Sequence, residues 1–194
     1  MIVLVLKSGG PHYGPDDVAQ LVRQIRRFSD ERVVCLSDCE VECDRIPLAH
    51  GWPGWWSKME LFRPELAGDF LYMDLDTIVR GPLDDLLAIG NLALLRDFYR
   101  ADGLGSGLMV LPEAARAEVW REWIRDPGRW MGECVHGGDQ MFIERFWLDR
   151  AARLQDVVPG QITSFKAHTR DEQLASRVVC FHGEPKPRDV RWCI

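Results

Sequence analysis

The chain has 194 residues, 46% of them hydrophobic and 28% charged, with a formal net charge of -6. That is the size and composition of one globular domain with a sizeable core. The acidic balance excludes a general nucleic-acid-binding surface.

The opening MIVLVL is too short for a signal peptide or a membrane span, so no span is expected. Residues 2–6 (IVLVL) predict a first strand covered on both faces. KSGGPHYGPDD, dense in Gly and Pro, is the loop at its end. Val18, Leu21, Val22, Ile25 and Phe28 then recur at helical spacing, with Asp16 or Asp17 as the start signal. RVVCL (32–36) is a second strand. This order predicts an α/β fold with a mostly parallel central sheet flanked by helices. Cys35, Cys39 and Cys43 recur every four residues without a zinc-site spacing. The six cysteines show no disulfide framework, and reduced thiols in a cytoplasmic protein are expected.

SKMELFRPEL (57–66) reads as a helix interrupted near Pro64, and FLYM (70–73) as a strand. GPLDDLL (81–87) begins a short helix with an early proline. LALL (92–95) and GLMVL (107–111) are further strands. Residues 113–125 form an amphipathic helix with Ala117, Trp120, Trp123 and Ile124 on its apolar side, and DQMFIERFWL (139–148) forms another. VVCF (178–181) is a late strand, followed by the turn-rich HGEPKPRDVRWCI. With no repeat or linker, a single domain over residues 1–194 is expected.

In FLYMDLDTIV (70–79), Asp74 and Asp76 interrupt an apolar run. Buried carboxylates need partners. On an extended segment both point to the same side, at a strand end where open α/β sheets bind ligands. A divalent cation with a preference for oxygen would relieve their repulsion. Strand-end aspartates bonded to backbone amides are the plain alternative. An EF-hand is excluded by Ile78 and Val79, and an aspartyl phosphoryl-transfer motif by a threonine, Thr77, that falls one residue early. No P-loop is present.

GWWSKMELFRP, YMDLDTIVRGPLDDL, SGLMVL, GGDQMFI and FHGEPKP occur in that order. Together they resemble the metal-dependent nucleotide-sugar glycosyltransferases with the single Rossmann-like A-type (GT-A) domain. The resemblance spans roughly residues 2–187 and is strongest to the group of glycogenin and the bacterial lipooligosaccharide galactosyltransferases. It implies transfer of a sugar from a UDP- or GDP-sugar, with Mn²⁺ or Mg²⁺ held by an Asp-x-Asp motif, to an unidentified acceptor such as a glycan or glycoconjugate. Two rival functions are a metal-dependent phosphoryl-transfer enzyme and a non-catalytic nucleotide- or sugar-binding module.

The resemblance implies Asp74, Asp76 and His182 as metal ligands, and Lys186 as the cation on the diphosphate, where it stabilises the leaving group. It places Gly183 beside them and Lys58 near the donor sugar or phosphate. Ser106 and Gly107 line the sugar pocket. Asp139 and Gln140 lie beside the reacting carbon, and Tyr13 and Asp38 near the base and ribose. The residues leave the anomeric outcome open; the resemblance leans toward retention, in which Asp139 and Gln140 position substrate, with Asp139 a base candidate if the enzyme inverts. Each residue also has a plainer reading. His182 could end a strand, Lys58 could be an exposed helix cation, Ser106 and Gly107 a turn, and Asp139 and Gln140 a helix start. Trp52, Trp55 and Trp56 could stack on sugars, but most tryptophans are expected in the core.

Overall fold

The structure is a computed structural model and describes residues 1–190; residues 191–194 of the expected domain and of its turn-rich tail lie outside the described residues. β1 (Ile2–Leu6) pairs in parallel with β2 (Val33–Ser37) on one side and β4 (Phe70–Met73) on the other. β3 (Asp44–Pro47) extends the sheet beyond β2. On the other side lie β7 (Leu104–Leu111), β6 (Ala93–Arg96) and β8 (Ala152–Arg153), giving the order β3-β2-β1-β4-β7-β6-β8. β7 is antiparallel to both neighbours, and every other pairing in this sheet is parallel. A second sheet has the order β5 (Thr77–Val79), β10 (Val178–Cys180), β9 (Ile162–Ser164).

The period-two alternation of side chains sorts the main sheet into two unlike faces. Ile2, Leu4, Leu6, Leu71 and Met73 point to an aliphatic core closed by Val18, Leu21, Val22 and Ile25 of α1 (Pro15–Arg26). The short α2 (Asp84–Leu87) and α6 (Leu154–Val157) add Leu86 and Leu154 to it. Val3, Val5, Phe70 and Tyr72 point the other way, into a core rich in aromatic rings. This side is built by α3 (Glu113–Arg125), α4 (Pro127–Glu133), α5 (Gly138–Trp147) and the 3-10 segment Gly54–Phe62. Trp52, Trp56, Trp123, Trp130 and Trp147 are buried there, as expected for most tryptophans, each large ring contributing about 1.5–3 kcal/mol or more on burial. Trp55 is the exception, at 57% exposed. α7 (Arg170–Ala175) begins with a Thr169–Glu172 capping box and packs on β9.

Several expectations need correction. The helix expected over 57–66 is the 3-10 segment, ending before Pro64 because a residue preceding proline is pushed to extended geometry, as Arg63 is (φ -64, ψ 143). α1 starts at Pro15, and Asp17 instead closes the first turn by accepting from the Gly14 amide. The buried side of α3 is Arg116, Val119 and Trp123, while Ala117 and Ile124 are exposed. Arg116 reaches inward because its guanidinium lies over the Phe70 ring and donates to the Gly68 carbonyl. β7 begins three residues earlier than expected, since small Gly105 allows close approach to Leu95 across a register shift in β6.

Candidate active site

FLYM and TIV are not one strand. They belong to different sheets, and Asp74 and Asp76 lie in the turn where the chain passes from one to the other. The Thr77 amide donates to the Asp74 carbonyl and closes that turn. The Asp74 amide donates to the Gly107 carbonyl of β7, and the Asp76 carbonyl accepts from Phe181 just after β10. Each aspartate backbone is therefore fastened to a different sheet. The expected extended geometry is replaced by a turn that presents both residues to one cavity of ≈ 250 Å³. Ser106, Gly107, Gln140 and His182, all expected at the site, line the same cavity.

Around Asp74 the partners are buried. Lys58 Nζ lies 3.0 Å from Asp74 Oδ1 and 3.0 Å from Asp139 Oδ2, and Tyr72 donates to Asp74 Oδ1. Ser106 Oγ donates to Asp139 Oδ2 at 2.7 Å and accepts from Lys58. Lys58 is thus no exposed helix cation. Burial opposes its charge, but Asp139 and Asp74 outweigh burial and raise its pKa. Burial raises the Asp74 carboxyl, opposed by Lys58 and reinforced by Asp76 and Asp139. Tyr72 is pushed well above the usual phenol range by burial and by Asp74, so it stays a donor. Gly107 matters sterically: a Cβ there would come within 3.2 Å of Asp74 Oδ2.

Around Asp76 the partners come from the chain's two ends. Tyr13 donates to Asp76 Oδ2 at 2.7 Å, and Lys186 Nζ lies 3.1 Å from the same oxygen while donating to the Tyr13 hydroxyl. Burial and Asp76 raise the Tyr13 phenol. Lys186 is carried on the segment after β10. His182 there has φ 33, the only positive φ of a non-glycine among the described residues, and Gly183 follows at φ 93. That reversal turns the tail back over Asp76. Arg188 then pairs with Asp17 at 2.8 Å and donates to the His12 carbonyl.

His182 lines the cavity between Phe98, stacked at 5.2 Å, and Tyr99. Its Nε2 lies 2.6 Å from Ser164 Oγ. Burial and Lys166 lower its pKa, favouring the neutral ring a metal ligand requires. Asp38 lies outside the cavity lining, bonded to Lys7 and to the Ser8 amide. Burial would raise its carboxyl, but those bonds hold it below the usual range.

The cavity also holds Thr77 and, with no motif to mark them in the sequence, Asp97, Phe98, Tyr99 and Cys180. Asp97 accepts from Gln140 Nε2 at 2.9 Å and from the Tyr99 amide. An acid and two aromatics directly after a strand was the available signal.

Asp74 and Asp76 supply the hard oxygen donors that Mg²⁺ or Mn²⁺ prefers. Asp76 Oδ1 accepts no side-chain or amide hydrogen bond among the described residues, whereas Asp74 Oδ2, beside the Gly107 gap, accepts from Lys58 at 3.2 Å, a bond a cation would have to share or displace. No group of three His, Cys, Asp or Glu side chains converges at ligating distance among the described residues. A third protein ligand from His182 requires its Nε2 to leave Ser164.

The mostly parallel sheet, flanking helices and site at the strand ends form the architecture of the GT-A glycosyltransferases. By sequence the chain matches no protein-family profile and no curated protein. By structure it is similar to the glycosyltransferase GlyE of Streptococcus pneumoniae TIGR4, with a TM-score of 0.71 at 17% identity over 100% of this chain. It spans 56% of the GlyE chain. The galactosyltransferase LgtC, solved in complex with donor and acceptor sugar analogs, gives 0.66 at 12% identity, covering 96% of this chain and 88% of LgtC. The bifunctional glycosyltransferase WbbM gives 0.65 at 12% identity, with 46% of its chain covered. These likenesses define the fold. No helix among the described residues is long and apolar enough to cross a membrane.

Proposed function

We propose that this protein is a metal-dependent glycosyltransferase that moves a sugar from a UDP- or GDP-sugar to a glycan or glycoconjugate. One observation carries the reading. Two carboxylates at the junction of two sheets open onto a single cavity with Gln140, Ser106 and Gly107, on a fold that in LgtC holds donor and acceptor sugar analogs. An LgtC structure with a substituted active-site glutamine is also similar, and Gln140 is the one glutamine in this cavity. Free thiols at the five described cysteines support a reducing, cytoplasmic setting.

Asp74 and Asp76 would hold Mn²⁺ or Mg²⁺, and His182 would swing from Ser164 to complete the set. The bound cation supplies Lewis-acid stabilisation of the nucleoside diphosphate as the sugar-phosphate bond breaks. Lys186 places a second positive charge beside that leaving group. The leaving diphosphate takes the bonding electron pair, the acceptor hydroxyl oxygen forms the new bond to the anomeric carbon, and the hydroxyl proton passes to the departing diphosphate oxygen. Asp139 Oδ2 is bonded to Lys58 and Ser106, and Asp139 is not in the cavity lining among the described residues, so its proposed role is to orient those two groups. Gln140, held by Asp97 in the cavity lining, would face the transferred sugar. Retention of anomeric configuration is the outcome this reading proposes.

Thermal denaturation with UDP or GDP tests the reading. With Mn²⁺ or Mg²⁺, nucleotide at ~100 times its Kd should stabilise the protein by about 2.7 kcal/mol. It should give no such shift without metal. The absence of any shift across nucleoside diphosphates with metal, together with no metal-dependent diphosphate release from nucleotide-sugars, overturns it.

A further inference from the structure

Trp55 lies in sequence between the buried Trp52 and Trp56, yet it remains 57% exposed. Leaving an indole in water forfeits the burial that Trp52 and Trp56 obtain on either side. Its position is nevertheless fixed. Trp55 and Lys58 are three residues apart on a 3-10 segment, where such residues eclipse, so both project to one side. On that side Lys58 reaches Asp139, and the Trp55 ring lies against the bare Cα of Gly138. A Cβ at Gly138 would come 2.9 Å from Trp55 Nε1, and the φ of +60 there also favours glycine. Met141, 40% exposed, packs over the adjoining Gly137. The result is an apolar strip at the start of α5 whose residues flank Asp139 and Gln140 in sequence. Trp55 Nε1 donates no hydrogen bond among the described residues.

We propose that Trp55 is the stacking platform for a pyranose ring of the acceptor. A pyranose presents an apolar C–H face to an aromatic ring and hydroxyls around its edge. The indole face suits the first, and the indole N–H and the polar groups of the adjoining site suit the second. A purely apolar protein partner would leave the indole N–H without an acceptor. This assignment rests on the glycosyltransferase reading.

Two measurements test it. In ¹⁵N-labelled protein, the Trp55 indole cross-peak is identified by its loss in Trp55→Phe. Methyl β-glucopyranoside and methyl β-galactopyranoside, added with UDP and Mg²⁺, should shift it saturably. In turnover assays with the same glycosides as acceptors, Trp55→Ala should lower the ratio of transfer to donor hydrolysis about tenfold, with Trp55→Phe recovering most of it. A purely structural role would lower both rates together. A Trp55 cross-peak unmoved by both glycosides overturns the assignment. So does a shift that follows protein concentration, which would place a second copy of the chain on the ring. If no nucleotide-sugar is turned over, the functional reading falls, while the titration still decides whether Trp55 binds a sugar.

Discussion

Asp74 and Asp76 are two residues apart, and each is held by one tyrosine and one lysine. Tyr72 and Lys58 serve Asp74; Tyr13 and Lys186 serve Asp76. The chemistry is the same, but the supports differ. Tyr72 is on β4, Lys58 on the 3-10 segment and Asp139 on α5, all packed into the aromatic core. Tyr13 is on a glycine- and proline-rich loop and Lys186 on the tail, 173 residues away in sequence. The inner cluster is as permanent as the core beneath it. The outer one exists only while the tail is docked, and segments with few core contacts open most readily. A single motif thus combines one carboxylate held from within the aromatic core with one held by two segments distant in sequence.

The sharpest way to break this contrast is Lys58→Met. It strands Asp74 and Asp139 without their ammonium, and removing one partner of a buried ion pair costs about 3–5 kcal/mol. Urea unfolding should show that loss together with loss of turnover. An unchanged midpoint would mean the inner cluster is not fixed by charge. Asp76→Asn should leave the fold standing yet reduce turnover by about 10³ or more and abolish the metal dependence of nucleotide binding. Full activity, or simple unfolding, would make Asp76 structural.

Lys186→Ala should slow turnover by about 10²–10³ through a poorer leaving group. Its stability cost should be below that of Lys58→Met, because Tyr13 still donates to Asp76. Equal destabilisation by the two lysine variants would erase the distinction between the clusters. The smallest effect belongs to Arg188→Ala. Its pair with Asp17 is half exposed and worth about 1 kcal/mol or less. Loosening it should speed proteolysis within residues 183–190, and nucleotide with Mn²⁺ should restore protection. Cleavage at the parent rate with and without ligand would show the tail to be held by other contacts.

The sequence motifs pointed to several residues that the structure gathers at this cavity: SGLM within β7, GGDQ at the start of α5 and HGEP after β10. The local geometry of the aspartates was less legible. FLYM and TIV look continuous, and nothing local reveals that TIV pairs with a strand about a hundred residues later. The Arg188–Asp17 pair, 171 residues apart, has no local signature either. Asp97, Phe98 and Tyr99 read as ordinary loop, since an acid and two rings gain meaning only when Gln140 and His182 meet them. β8, α6, β9 and α7 are too short to show periodicity. Arg116 misled the reading of α3 because a charged residue supplies part of its buried side.

The unlike faces of the main sheet have an optical consequence. All seven described tryptophans belong to the aromatic side, five in its core, Trp120 packed against it and Trp55 on α5, and the aliphatic core holds none. Trp56 stacks on Trp123 at 5.3 Å, and Trp52 meets the same ring edge-on at 5.1 Å. Their transition dipoles are close enough to couple, so circular dichroism from these rings and their emission report one half of the molecule. An α1 that peeled from the sheet while the indoles stayed packed would be nearly silent in fluorescence and plain in backbone dichroism. Superimposing the two melts measures whether the faces let go together.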